Sequence, residues 1–379
     1  MQNNKLLFGS TIGIIGGGQL GRMMTTAAKH MGYSVVVLDP TPNCPTAQVA
    51  DDQIVAAYDD MEAVQKLAEQ SDVITYEFEN VDLEAAQYLE ARQLLPQGAN
   101  SLRVTQDREL EKKAMVDSDQ PVAPFAIVKS KSELEEAAQE IGYPSVAKTC
   151  RGGYDGKGQV KLTSADDLDP AVEMLENAGR VIVEKWVPFD KEISIIFTRT
   201  KDGNISYFPV AENKHREHIL HATIAPAKVS DGVAEKAKEA AKAIAETIGV
   251  VGTFAIEMFV CGDEILINEL APRPHNSGHY TIEACSVSQF EQHIRAICNI
   301  PLAPVYFHGG AVMVNLLGKD VEPYVEKMED YRVVAGHLHM YGKKENKPLR
   351  KMGHVTYIEN DPWRVYQDLV EKNLIQEDK

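Results

Sequence analysis

The run TFAIEMFVCGDEILINELAPRPHNSGH, residues 253–279, carries two acids, Glu257 and Glu269, on two β-rich segments joined around Gly262-Asp263. Read as a hairpin with a three-residue loop over Gly262 to Glu264, its register sets Glu257 directly opposite Glu269. Like charges facing one another across a strand pair are destabilising, so acids kept in that arrangement point to a cation between them. Carboxylate oxygens completed by nucleotide phosphates are the oxygen-only shell that Mg2+ prefers. A two-residue loop would turn the acids to opposite faces, and a solvated pair of acids is then the plainer reading. The metal assignment therefore turns on register.

Composition bounds what such a site can serve. A chain of 379 residues is long enough for two or three domains and a large core. No run of 18 apolar residues is present, which excludes a membrane-spanning helix. The N-terminus, MQNNKLLFGSTIGIIGGG, has its apolar run broken by glycines and lacks a secretory pattern. The five cysteines are scattered, with no C-x-x-C pair, so neither a disulfide framework nor a zinc site is expected, and a reducing cytoplasm fits. A net charge of −17 argues against nonspecific nucleic-acid binding, but not against small anions held by a local basic cluster.

Upstream, apolar runs alternate with helix-like segments: Thr11 to Ile15, Ser34 to Leu38 and Asp72 to Tyr76 as strands, Asp60 to Gln70 and Asp82 to Leu94 as helices. This is the pattern of a parallel sheet. Residues from about 101 to 119 read as helical and charged, followed by prolines at 121 and 124. A smaller α+β unit follows, with strands at Phe125–Val128, Ser145–Lys148 and Arg180–Glu184. A long helix is expected over Asp231–Ile248, and strands over Ala311–Leu316, His337–Tyr341 and His354–Ile358 form a tail.

Two glycine loops compete for the nucleotide. Gly16 to Gly21 spells G-x-G-x-x-G between a strand and a helix, with Asp39 ending the next strand. That is the dinucleotide fingerprint in its expected context, although the same cradle of N–H groups suits any phosphate. The second loop, Arg151-Gly152-Gly153-Tyr154-Asp155-Gly156-Lys157-Gly158-Gln159, follows Lys148 at a strand end. Its glycines and cations suit a lid closing over phosphates, whereas an ordinary hairpin turn needs neither. It is not a Walker A loop, because Gly158 and Gln159 follow Lys157.

GIIGGGQLGRMM (13–24), TYEFENV (75–81), QDR (106–108), RGGYDGKGQ (151–159), VEKWV (183–187), INELAPRPHNSGHYT (267–281) and RKMGH (350–354) together resemble the ATP-grasp superfamily. Within it, nearly the whole chain is similar to the carboxylating ligases of purine biosynthesis. The resemblance implies an α/β and α+β architecture: a Rossmann-like substrate domain over 1–110, a small lid subdomain over 111–187 and a mixed catalytic domain with a strand-rich tail over 188–379. It implies that ATP phosphorylates bicarbonate and that the resulting carboxyphosphate carboxylates 5-aminoimidazole ribonucleotide.

The roles carry over residue by residue. Arg108 and Lys148 would meet the ATP phosphates, and Gly153, Tyr154, Asp155, Gly156, Lys157, Gly158 and Gln159 would form the lid. Glu184, Lys185, Trp186 and Val187 would hold adenine and Glu192 the ribose, with His215, Asn268 and Glu269 completing the nucleotide pocket. Glu257 and Glu269 would bind one or two Mg2+ ions, or Mn2+ in their place. Arg273 and His275 would hold bicarbonate, with Asp155 and Lys351 as further catalytic groups. Tyr154, Arg350, Lys351, Glu77 and the loop residues Gly18, Gln19 and Leu20 would bind the ribonucleotide, the loop taking its phosphate. A homodimer in the cytoplasm, with no nucleic-acid or membrane partner, completes the expectation. Rival readings are a sister ligase activating formate or an amino acid, an NAD-dependent oxidoreductase resting on Gly16–Gly21 and Asp39, and a noncatalytic nucleotide-binding regulator.

Overall fold

Three sheets, each from a different stretch of chain, organise the computed structural model, which describes residues 5–153, 158–330 and 335–375. The first is built from β1 (Thr11–Ile15), α1 (Gln19–His30), β2 (Ser34–Leu38), β3 (Asp52–Ile54), α2 (Met61–Gln70) and β4 (Val73–Tyr76). Its strands are parallel in the order β3-β2-β1-β4. The runs TIGII, SVVVL and VITY are almost wholly buried, as strands covered on both faces must be. Asp60 starts α2 and Asp82 starts α3 (Leu83–Ala91), each by accepting backbone N–H bonds. The edge strand β3 carries too few apolar residues to announce itself in sequence.

The helical stretch expected over about 101–119 consists of two helices, α4 (Gly98–Thr105) and α5 (Arg108–Asp117). The break lies at Asp107, whose carboxylate caps α5 by accepting the Glu109 N–H at 3.2 Å. It places Arg108 on the first turn of α5. The domain boundary expected after residue 110 falls inside this helix.

The second sheet comprises β5 (Phe125–Val128), β6 (Ser145–Thr149), β7 (Gln159–Leu162) and β8 (Val181–Lys185), in the antiparallel order β5-β8-β6-β7. Helices α6 (Lys131–Ile141) and α7 (Leu168–Ala178) bury Leu134, Ala138 and Leu175 against Val128, Ala147 and Val183.

The third sheet has nine strands: β9 (Lys191–Arg199), β10 (Ile205–Tyr207), β11 (Ala211–Arg216), β12 (Ile219–Ala225), β13 (Gly252–Cys261), β14 (Glu264–Ala271), β15 (Ala311–Leu317), β16 (His337–Met340) and β17 (Lys351–Ile358). The order is β14-β13-β9-β11-β12-β15-β17-β16, with β10 paired to β9. The alanine-rich face of α8 (Asp231–Ile248) packs on β9, β13 and β14 through Ala237, Ala241 and Ile244. The strand-rich tail extends this same sheet rather than standing apart, and β17 lies between β15 and β16.

The hairpin β13–β14 corrects one step of the sequence argument. Cys261 pairs with Glu264, so the loop is two residues, Gly262 and Asp263, not three. Gly262 has φ +62°, the positive value that the first position of a type II′ turn requires. Met258 pairs with Ile267 but Glu257 pairs with Glu269, leaving Asn268 as an extra residue in a β-bulge. The bulge undoes the shift introduced by the shorter loop. Glu257 and Glu269 face each other as expected, by a different route.

Candidate active site

A cavity of about 780 Å³ opens where the three sheets meet. The hairpin contributes Glu257, Asn268 and Glu269; β6 contributes Lys148, and the start of α5 contributes Arg108. The segment Glu184–Val187, then Glu192 and His215, border one end, while Arg273, His275 and Lys351 border the other. The lid flanks Gly153, Gly158 and Gln159 also border it. Tyr154, Asp155, Gly156 and Lys157 lie outside the described residues.

Glu257 and Glu269 have no hydrogen-bond donor within reach among the described residues; the nearest recorded approach is His275 Nε2 to Glu257 at 3.6 Å. Burial, opposed by His215 and reinforced by Glu269 and Glu192, pushes the Glu257 carboxyl up to about 7. A cation placed between the two acids would reverse that penalty. The described residues contain no group of three or more His, Cys, Asp or Glu able to hold an ion by themselves. Two facing carboxylates short of donors therefore fit a hard cation whose shell is completed by phosphate and water, as Mg2+ is commonly held beside a nucleotide.

The cationic side is built from α5 and the second sheet. Lys148 and Lys112 both bond the Glu184 carboxylate, at 2.5 Å and 2.8 Å. Burial alone would raise Glu184, but Lys148 and then Lys112 hold it down at about 2. The Glu184 side chain is thus engaged with lysines, so an adenine at this segment would have to use its backbone. The N–H groups of Lys185 and Trp186 are fixed by the carbonyls of Pro124 and Pro144, at 2.8 Å and 3.1 Å. Burial lowers the Arg108 guanidinium, but Glu269, followed by Glu111 and Glu184, outweighs it and raises Arg108 above its ordinary value. Sequence reading missed Glu111 and Lys112. Their signal was spacing, since positions 108, 111 and 112 share one helical face. At the far end of the segment, His215 Nδ1 pairs with Glu192; burial lowers His215, and the Glu192 bond more than restores it.

At the other end Arg273 makes a two-pronged pair with Glu79, Nε to Oε2 at 2.9 Å and a terminal nitrogen to Oε1 at 2.5 Å. Glu79 was hard to place from sequence; its role here is to orient Arg273. Burial lowers His275 well below its ordinary value, with Arg273 and Lys351 adding to the effect, so the ring is neutral. Its Nδ1 accepts the Ser277 N–H at 3.3 Å, which leaves the ring proton on Nε2, toward Glu257 and the cavity. A reciprocal amide pair, Asn276 with Asn315 at 3.0 Å and 2.7 Å, anchors this turn to β15.

The expected ribonucleotide contacts Arg350 and Lys351 are placed differently. Arg350 is exposed, does not border the cavity and donates to the Glu345 carbonyl at 3.3 Å. Only Lys351 of that pair faces inward, with its own carbonyl held by Lys343 Nζ at 2.7 Å. Burial, then Arg350, lowers Lys343 to about 8.

The first glycine loop is already filled. The Gly18 N–H donates to Glu77 Oε1 and the Gly21 N–H to Glu77 Oε2, the latter at 2.8 Å. The Gly17 N–H donates to Asp39 Oδ2 at 2.7 Å. A Cβ at Gly18 would lie 2.5 Å from Glu77 Oε1, and one at Gly17 would lie 2.2 Å from Cys44 Sγ. These glycines admit the protein's own carboxylates, not a dinucleotide or a phosphate on those N–H groups. Glu77 and Gly18 do not border the cavity, whereas Gln19 and Leu20 do.

Comparison with known proteins fits this geometry. Residues 9–106 match the ribonucleotide synthetase preATP-grasp domain, residues 113–290 the ATP-grasp domain and residues 311–367 the phosphoribosylaminoimidazole carboxylase C-terminal domain. The chain is 50% identical over 358 residues to an N5-carboxyaminoimidazole ribonucleotide synthase of Bacillus subtilis, covering 94% of this chain and 93% of that one. It superimposes on a Staphylococcus aureus N5-carboxyaminoimidazole synthetase complexed with ADP with a TM-score of 0.93 at 44% identity, over 97% of this chain and 98% of the other. An Aspergillus clavatus synthase in complex with ADP and 5-aminoimidazole ribonucleotide gives a TM-score of 0.89 at 30% identity, over 98% and 99% of the two chains.

Proposed function

Because the chain belongs to the N5-carboxyaminoimidazole ribonucleotide synthase family of ATP-grasp ligases, we propose a division of labour for its cavity in the ATP-dependent carboxylation of 5-aminoimidazole ribonucleotide. The observation that carries it is one cavity bordered by the facing acids Glu257 and Glu269, the cations Arg108 and Lys148, and the cluster Arg273, His275 and Lys351.

Adenine lies along the backbone of Glu184–Val187, and Glu192, paired with His215, faces the ribose. Lys148 and Arg108 offset the charge of the phosphates. Glu257 and Glu269 would hold a divalent cation, which would supply neutralisation of the phosphate charge. Bicarbonate sits between Arg273 and the Nε2–H of His275. Its oxygen attacks the γ-phosphorus as the bond to ADP breaks, giving carboxyphosphate. The ribonucleotide's exocyclic amine then takes the carboxyl group, phosphate leaves and the amine gives up one proton. Lys351 orients the carboxyl group and the incoming amine. Tyr154 and Asp155 of the lid are assigned to the ribonucleotide by resemblance alone. Holding Arg273 in a fixed pair with Glu79 preorganises it, which spares the reorganisation that free charges require.

The test is ADP release with ATP, Mg2+ and bicarbonate, measured with and without 5-aminoimidazole ribonucleotide. Stimulation by the ribonucleotide together with formation of the carbamate supports the reading; ADP release indifferent to the ribonucleotide refutes it. We also read the working protein as a cytoplasmic homodimer, on family resemblance. Among the described residues no helix is long and apolar enough to cross a membrane. A sedimentation mass equal to one chain would remove the dimer.

A further inference from the structure

β14 ends the nine-stranded sheet, so its outer backbone groups have no neighbouring strand. Such an edge needs other partners. The Ile267 N–H finds the Pro121 carbonyl at 2.8 Å. Beyond it, α5 takes over with two adjacent side chains. Lys112 Nζ donates to the Asn268 carbonyl at 3.3 Å, and Glu111 Oε1 accepts the Leu270 N–H at 2.7 Å. These are the residues immediately before and after Glu269. Asn268 is also the bulge residue, where the ladder to β13 is interrupted and the strand is least constrained from within. Both side chains are 2% exposed.

The same Lys112 reaches the other way. Its Nζ bonds Glu184 on β8, the strand leading into the adenine-facing segment, and Glu184 in turn bonds Lys148. One buried path therefore runs from the flank of Glu269, through α5, to the sheet that holds the nucleotide.

We propose that Glu111 and Lys112 are positioning residues that couple the metal carboxylate Glu269 to the nucleotide-holding sheet, so that Mg2+ and nucleotide each strengthen the binding of the other. The inference rests on Glu257 and Glu269 being the metal pair. Coupling of this kind is reciprocal by linkage, and it requires a connection whose geometry both ligands bias. Lys112 supplies it, because one ammonium is bonded on both sides. Glu111 supplies the second point of attachment that stops β14 from pivoting at the bulge.

The test is the affinity for ADP measured by calorimetry on the full chain, in EDTA and in saturating Mg2+, for wild type, Lys112→Met, Glu111→Ala and Glu111→Gln. The quantity read is the factor by which Mg2+ tightens ADP. It is expected to fall by about tenfold in Lys112→Met and Glu111→Ala, within the range typical of coupled sites. Any loss of ADP affinity in EDTA is expected to be smaller than the loss in Mg2+. Glu111→Gln keeps an oxygen acceptor for the Leu270 N–H and is expected to restore the factor. Should Lys112→Met fail to fold, with Glu184 left to Lys148 alone, the Glu111 pair carries the test. A folded variant with an undiminished Mg2+ factor overturns the inference, as does an equal loss of ADP affinity with and without Mg2+, which is what a purely structural role gives. A wild type whose ADP affinity ignores Mg2+ removes the metal pair, and this inference with it.

Discussion

Asp39 with Glu77 and Glu257 with Glu269 are two pairs of acids that the fold brings together, and they mean opposite things. The first pair is saturated. Glu77 accepts the N–H groups of Gly18 and Gly21, and Asp39 accepts from Gly17, Thr41 and the Tyr58 hydroxyl. The second pair faces itself and a cavity, with no donor in reach among the described residues. A carboxylate whose lone pairs are filled by backbone donors holds a loop together. One whose lone pairs face a like charge lacks a cation. Counting donors, rather than acids or glycines, separates structure from chemistry in this molecule.

The largest effect that can break this contrast is Glu269→Gln. It should lower kcat by about 10²- to 10³-fold, the scale seen when one preorganised electrostatic contact to a reacting centre is lost. Its melting temperature in the absence of metal should hold or rise, because a like-charge contact disappears. Near-normal turnover would make the pair structural after all. Next is Glu77→Ala, which strands two N–H donors and should cost roughly 2–4 kcal/mol in urea unfolding. An unchanged urea midpoint with a raised KM for the ribonucleotide would return Glu77 to the substrate site.

A smaller effect is expected from pH. An unfolded glutamate titrates at about 4.3, whereas folded, metal-free Glu257 titrates at about 7. Between these values the folded state holds the extra proton, so stability falls as pH rises through that window. Metal-free wild type should therefore lose melting temperature relative to Glu257→Gln as pH goes from about 5 to about 8, and Mg2+ with ADP should cancel the difference. Parallel pH curves for the two proteins would show that Glu257 carries no such burden. The smallest effect concerns the basic side: Arg350→Ala should leave the KM for the ribonucleotide nearly unchanged, because Arg350 is exposed and off the cavity border, while Lys351→Ala should damage kcat. A large effect at Arg350 would mean that the stretch around 343–350 closes over substrate.

Much of this was legible in sequence where the physics is local. The buried runs of the parallel sheet, the helices that begin near Asp60 and Asp82 and the long helix α8 all follow from patterning and propensity. The facing of Glu257 and Glu269 was also legible, but through a loop one residue too long. The missing clue was the run Asn268-Glu269, two polar residues in succession that break the alternation of β14. Alternation says which face a residue takes, and only a break in it reveals a bulge. The glycine loop misled because its spacing describes close approach without naming what approaches. Its partner, Glu77, lies 59 residues from Gly18. Lys112 was hidden for the same reason: Glu184 and Asn268 are brought to it by the fold, not by the chain.

The position of β17 between β15 and β16 has a consequence for the order in which the enzyme is made. Lys351, the first residue of β17, borders the cavity, yet about nine-tenths of the chain precedes it. A chain emerging from the ribosome has Arg108, Lys148, Glu257 and Glu269 before it has Lys351. Until β17 is synthesised, β16 has no partner strand and the cavity lacks Lys351 on its border. Synthesis from N- to C-terminus therefore closes the border of the cavity only when the nine-stranded sheet is complete.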